Sequence, residues 1–196
     1  MNQILHPLPC ERLQERPFLA QGIAQTMEHY GKSLRDLPAD LRRHCAPSDQ
    51  SLAQISQTDM NRLWHAAARV TEDECFGLKM GQTYCSNTLK VLGLAAVSSE
   101  TVGDAVQRVL RYISVFSTQV QLYSVEDDQY FTIYFEPRGT PHPLHIEAVV
   151  AQCAKVWASL ENGHTPLVLE TRLAGEHEAT RTFCESALSG KVRLGA

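Results

Sequence analysis

The spacing of apolar residues divides the chain into a helical first half and a mixed second half. Phe18, Leu19, Ile23, Met27 and Tyr30 share one face of a helical period, so Pro17 to Tyr30 reads as a first helix. Pro17 suits its first turn and Gly31 its C-cap. Residues 34–56 are polar, contain Pro38 and Pro47, and read as a loop with one short helical turn. Thr58 is read as the N-cap of a second helix, Asp59 to Val70, striped by Leu63, Ala66, Ala67 and Val70. Glu74 to Gly81 reads as a short helix closed by glycine, and Leu89 to Val97 as a buried helical turn. Val102, Ala105, Val106, Val109, Leu110, Ile113 and Phe116 then step by three and four residues. They predict an amphipathic helix capped by Thr101, with Asp104 at the third position and Arg108 and Arg111 on the wet face.

Beyond Phe116 the apolar period changes from helical to alternating. Val120 and Leu122 fall on one face of a strand over 119–125. Phe131, Ile133 and Phe135 oppose Tyr130, Thr132 and Tyr134 in a second strand, and Asp127-Asp128 supplies the turn. Pro137, Gly139, Pro141 and Pro143 end the hairpin. A long helix follows to about Leu160, burying Ile146, Val149, Val150, Cys153, Val156, Trp157 and Leu160, and Gly163 stops it. Leu167 to Leu173 reads as a third strand, Glu176 to Leu188 as a last helix, and Lys191 to Leu194 as a closing strand. This order predicts an α+β domain: an antiparallel or mixed sheet with helices packed over one face, and a helical N-terminal region. No repeat, low-complexity tract or long linker divides residues 1–196, so they read as a single domain.

Composition narrows the partners. The chain has 196 residues, 43% hydrophobic and 20% charged, with a net charge of −4. That is a globular balance, and its mild acidity argues against this chain itself gripping nucleic acid. No apolar run reaches the length that spans a bilayer, and the first residues lack the pattern of a secretion signal, so a cytoplasmic location is expected. Cys10, Cys45, Cys75, Cys85, Cys153 and Cys184 are scattered without a C-x-x-C pair and read as free thiols.

Catalytic and metal chemistry find little support. His142 and His145 lie three residues apart beside Glu147 and Arg138, but further ligands are missing, so they read as capping or solvated residues. His65 beside Trp64 reads as a partly buried, hydrogen-bonded histidine. No G-x-S-x-G elbow and no phosphate-binding glycine loop is present. The expectation is therefore no enzyme, no cofactor and no metal. Tyrosines at the end of the amphipathic helix and on the hairpin could line an apolar pocket with a few orienting hydroxyls, or simply pack. Tyr112, Phe116, Tyr134 and His145, at the junction of helix and hairpin, are the candidate effector-binding residues.

The stretch Gly77-Leu78-Lys79-Met80-Gly81, then Leu92-Gly93-Leu94-Ala95-Ala96-Val97-Ser98-Ser99, then the helix Thr101 to Tyr112, resembles the N-terminal effector domain of AraC-type bacterial transcription regulators. The similarity is to the subgroup whose sensing half is not the arabinose-binding cupin barrel. Val102-Gly103-Asp104-Ala105-Val106 departs from it where leucine and glutamate are usual, yet keeps apolar and acidic character. Thr165 to Leu169 and Ser189 to Gly195 also resemble family segments, so the likeness runs from about Phe18 to the end. It implies a sensor of a small-molecule effector, working as a homodimer, with the long helix around Lys155 or the Glu176 helix as the expected dimer element. It also implies DNA binding through a C-terminal pair of helix-turn-helix units, for which this chain has no room. The alternative is an interaction or dimerisation module with no small ligand; a filled core and an exposed apolar helix face would mark it.

Overall fold

The computed structural model describes residues 14–15, 17–45, 54–84, 93–94, 98–112, 117–126, 131–160, 168–171 and 191–194. Helix α1 spans Pro17–Glu28 and buries Leu19, Ala20, Ile23 and Met27. Its end is a Schellman turn. Gly31, at φ +68°, lets its own N–H reach the Glu28 carbonyl at 2.9 Å while Lys32 N–H reaches Met27 at 3.1 Å.

The expected loop over 34–56 holds more structure than its composition announced. A 3₁₀ turn, Leu34–Asp36, is capped reciprocally by Ser33 and Asp36, and helix α2 spans Ala39–Cys45. Only Leu41 and Cys45 of α2 are buried, a pair too sparse to show as a period. Its charges follow the helix dipole, with Asp40 in the first turn and Arg42, Arg43 and His44 in the last. Two short strands, β1 (Gln14–Glu15) and β2 (Ile55–Ser56), pair antiparallel.

Helix α3 spans Gln57–Thr71, and its cap is Ser56 rather than Thr58: the Ser56 hydroxyl accepts from Asp59 N–H at 3.1 Å. Ser56 is both the last residue of β2 and extended in backbone, the conformation an N-cap needs. Met60, Leu63, Trp64 and Ala67 face inward. Helix α4, Phe76–Thr83, packs beside them, and Trp64 meets Phe76 edge-on at 6.2 Å. Asp73, just before α4, joins the layers by accepting from the Tyr30 hydroxyl and from Lys79 Nζ, each at 2.5 Å.

Helix α5, Val102–Tyr112, begins as expected. Asp104 N–H donates to the Thr101 hydroxyl at 3.1 Å, and that hydroxyl donates to the Asp104 carboxylate at 2.8 Å. The hairpin of β3 (Val120–Glu126) and β4 (Phe131–Pro137) is antiparallel, with Leu122 opposite Phe135 and Tyr123 opposite Tyr134. Helix α6, Pro143–Leu160, closes the packing. Leu144 and Ala148 enter the core built by α1–α4, whereas Ile146, Val149, Val150 and Cys153 enter a second core with Ala105, Val109, Val120 and Leu122. One helix thus serves two cores. A last pair, β5 (Val168–Thr171) and β6 (Lys191–Leu194), runs parallel.

The fold is α+β: mostly helical, with two antiparallel strand pairs and one parallel pair among the described residues. The expected helix over 176–188, the turn at 127–128 and most of the expected helical turn over 89–97 lie outside the described residues. Cys45, Cys75 and Cys153 are buried thiols outside any disulfide, in keeping with the thiol reading.

Candidate functional site: the junction of helix, hairpin and α6

Three elements meet after Tyr112: the end of α5, the start of the hairpin and the first turn of α6. Alternation along the strands sends Leu122, Ile133 and Phe135 toward the second core. It leaves Tyr123 and Tyr134 on the opposite face, where their rings stack at 4.9 Å and 11°. These two tyrosines are 42% and 44% exposed and Val125 on the same face is 50% exposed, so this side carries an unusual share of uncovered apolar surface; Tyr112, at the end of α5, is 49% exposed. Gln107 of α5 donates to the Ser124 hydroxyl at 3.3 Å and ties the helix to β3.

His145 lies inside, not in solvent. It is fully buried, its ring 6.1 Å from Trp64, and its Nε2 is hydrogen-bonded to the Ser117 hydroxyl at 3.1 Å. Ser117 in turn accepts from Gln119 N–H at 3.1 Å, so a short polar chain enters the core at the foot of the hairpin. Burial, with a smaller effect from nearby His142, pushes the His145 imidazole down to about 3. The ring is therefore neutral, with one nitrogen donating and the other accepting. Glu147, one step along α6, is buried as well, and burial with the field of Asp73 raises its carboxyl to about 7.

The reading of His142 and His145 as solvated is thus corrected for His145. Proline positions near 137–143 suggested an exposed loop, but Pro143 opens α6 and the next turn already packs inside. His142 is intermediate in exposure, its Nδ1 accepting from Leu144 N–H at 3.3 Å. His65, expected to be partly buried, is exposed, because Trp64 takes the inward position on α3.

Of the candidate effector residues, Tyr112 and Tyr134 lie on exposed surface, His145 lies in the core, and Phe116 lies outside the described residues. Tyr134 and His145 belong to different sides of the hairpin; the structure pairs the first with Tyr123 and the second with Ser117 and Trp64. Sequence reasoning missed Ser117 and Gln119, both buried. The only signal was the polar run Ser117-Thr118-Gln119 immediately before the strand start.

A second concavity lies between the 3₁₀ turn, α2 and the outer face of α3. It has a volume of about 650 Å³, and its walls include Leu41, Arg62, His65, Arg69, Val70 and His142. Among the described residues no cluster of three His, Cys, Asp or Glu side chains is placed to hold a metal ion. No described helix is long and apolar enough to cross a membrane.

Comparison with known proteins gives the family. The sequence profile described as "Arabinose-binding domain of AraC transcription regulator, N-term" matches residues 44–196. The chain is also similar to the ornithine utilization regulator of Pseudomonas aeruginosa, 28% identical over 109 residues, or 56% of this chain. The matched stretch covers 32% of that relative, so the likeness spans about a third of its length. With the profile covering most of the chain, including α3, α4, α5, the hairpin and α6, this protein belongs to the family of N-terminal arabinose-binding domains of AraC-type transcription regulators.

Proposed function

We propose that the chain is the ligand-sensing and dimerising half of an AraC-type regulator, with no catalytic role, acting in the bacterial cytoplasm on DNA through a C-terminal helix-turn-helix domain. The family match over residues 44–196 carries this reading. The junction of α5, the hairpin and α6 is the proposed effector site, with Tyr112, Phe116, Tyr134 and His145 as its residues. The mechanism is a population shift: an effector with higher affinity for one arrangement of the hairpin against α6 favours that arrangement, and the dimer passes the bias to the DNA-binding half. The effector class follows the relatives only as a starting point. One is named for ornithine use and the family for arabinose, so basic amino acids and pentoses head the screen.

The test is a thermal-shift screen with ornithine and other amino acids, arabinose and other sugars, fatty acids and aromatic metabolites. A ligand at a hundred times its Kd adds about 2.7 kcal/mol, which raises Tm by roughly 5–10 °C in a domain of this size. A specific shift of that order supports the sensor reading. Absence of any shift across the screen overturns it in favour of a second reading, an interaction module without small ligand. One observation favours that alternative: the stacked Tyr123–Tyr134 pair, with Val125 on the same face, forms the kind of exposed aromatic surface that protein partners cover.

A further inference from the structure

The 650 Å³ groove beside α3 shares no lining residue with the junction. Its polar groups divide into those already engaged and those left over. Arg62 is held by Asp40 at 2.7 Å and by Asp59 at 3.2 Å. Asp36 is engaged by Ser33, accepting from its N–H at 2.7 Å. Asn61 uses both ends of its amide on the 140–142 backbone, donating to Thr140 O at 2.7 Å and accepting from His142 N–H at 2.9 Å. The acid and the amide in the wall are therefore satisfied by the protein itself.

The remaining groups are of one kind. Arg69 stands one turn beyond His65 on the same face of α3, and among the described residues it has neither an ion pair nor a hydrogen bond. His65 is likewise without a described partner, and His142 has only its Nδ1 engaged. His65 and His142 are near enough to feel each other's charge, and burial together with that proximity lowers His142. Every group left over can donate a hydrogen bond, and one carries a permanent positive charge. Pro38, Ala66 and Val70 offer an apolar surface beside these donors, with the buried Leu41 behind them.

From this division we infer that the groove is a binding site for a small carboxylic acid, its carboxylate held by Arg69 with His65 and His142, its hydrocarbon body lying on Pro38, Ala66 and Val70. A planar carboxylate matches the guanidinium fork of Arg69. A body of a few carbons gains from leaving water on the apolar wall.

Histidine side-chain NMR tests the assignment on the protein as it stands, with ring signals assigned through His65→Gln and His142→Gln. The probes are sodium hexanoate and inorganic phosphate, each compared with sodium chloride at equal ionic strength. Hexanoate is expected to shift both rings saturably. Arg69→Ala, an exposed helix position, is expected to weaken that binding about tenfold. Arg111→Ala, on the wet face of α5 outside the groove, is expected to leave it unchanged. The assignment is overturned if hexanoate shifts the rings no more than chloride does, or if Arg69→Ala binds as tightly as the parent. It is also overturned if phosphate saturates while hexanoate does not, since the apolar wall would then contribute nothing. Because a carboxylic acid held in the groove would also raise Tm, the effector screen is run on Arg69→Ala beside the parent. A shift that survives in Arg69→Ala belongs to the junction, and one that is lost belongs to the groove.

Discussion

A Cβ placed on Gly77 would lie 2.3 Å from the Leu144 carbonyl oxygen. One turn on, a Cβ on Gly81 would lie 2.3 Å from the Ala148 carbonyl oxygen and 2.7 Å from the Ala151 methyl. Helices α4 and α6 therefore touch backbone to backbone along a stripe without side chains. Alanine at either glycine gains about 1 kcal/mol of helix propensity, but backbone cannot yield as a side-chain tip can. Overpacking is expected to dominate, with Gly77→Ala and Gly81→Ala each losing roughly 2 kcal/mol net in urea unfolding.

Gly22 on α1 gives the contrast. A Cβ there meets the tip of Met80 at 2.3 Å and the Tyr84 ring at 2.6 Å. The methionine end can swing away, although the ring yields less. Gly22→Ala is expected to cost less than half as much as Gly77→Ala in the same assay. Equal losses would show that side-chain rearrangement, not backbone contact, sets the scale.

Two buried titratable groups of α6, Glu147 and His145, act on stability with opposite sign. Glu147 has its carboxyl raised from 4.5 to about 7, so the fold holds the proton that the unfolded chain releases; stability falls as pH rises between those values, by about 3 kcal/mol at most. His145 is lowered from 6.5 to about 3, so the unfolded chain takes up a proton that the fold refuses; stability falls as pH drops through that range. Between 4.5 and 6.5 the two slopes oppose each other. Urea midpoints measured from about pH 4 to about pH 8 should therefore change little in the parent across this overlap. Glu147→Gln should rise steadily with pH there, and His145→Gln should fall. A variant that kept the parent profile would show that its residue does not titrate in this way.

The cap of α3 offers a direct check on the Ser56 assignment. Ser56→Ala removes the acceptor for Asp59 N–H and should cost about 1 kcal/mol, while Thr58→Ala should cost no more than a few tenths. The reverse order would restore Thr58 as the cap.

The exposed tyrosines separate stability from function. Tyr134→Ser is expected to change the unfolding free energy by less than about 1 kcal/mol, because that face of the hairpin is largely uncovered. If the junction is the effector site, the same variant should lose at least half of the effector-induced rise in Tm. A full rise would remove Tyr134 from the site.

Much of this fold was legible because packing repeats at fixed intervals. The α5 stripe, the hairpin alternation and the Thr101 cap all follow from patterns long enough to distinguish a helix from a strand. Helix α2 was not legible, since two buried residues make no period. The Ser56 cap was missed because serine and threonine are both favoured caps by residue type, and the choice fell to the β1–β2 pairing that fixes Ser56 in extended form. The interior place of His145 depends on Ser117 and Trp64, each distant along the chain. The groove donors could not be recognised at all, because what singles out Arg69 is that its neighbour Arg62 is ion-paired with Asp40 and Asp59, whereas among the described residues Arg69 has no ion pair.

The side chains of Gln57 and Asn61 bind the backbone of residues 138–142 through four hydrogen bonds, across sequence separations of 79 to 83 residues. Closing a loop of that length costs on the order of 4 kcal/mol, and four such bonds return about 1 kcal/mol each. The sum is close to zero, so this clasp cannot fasten on its own and must wait until α3 and α6 have met through their shared core. It belongs to the end of folding rather than the beginning. Asn61→Ala, which removes two of the four bonds, should accordingly speed unfolding and leave the folding rate nearly unchanged.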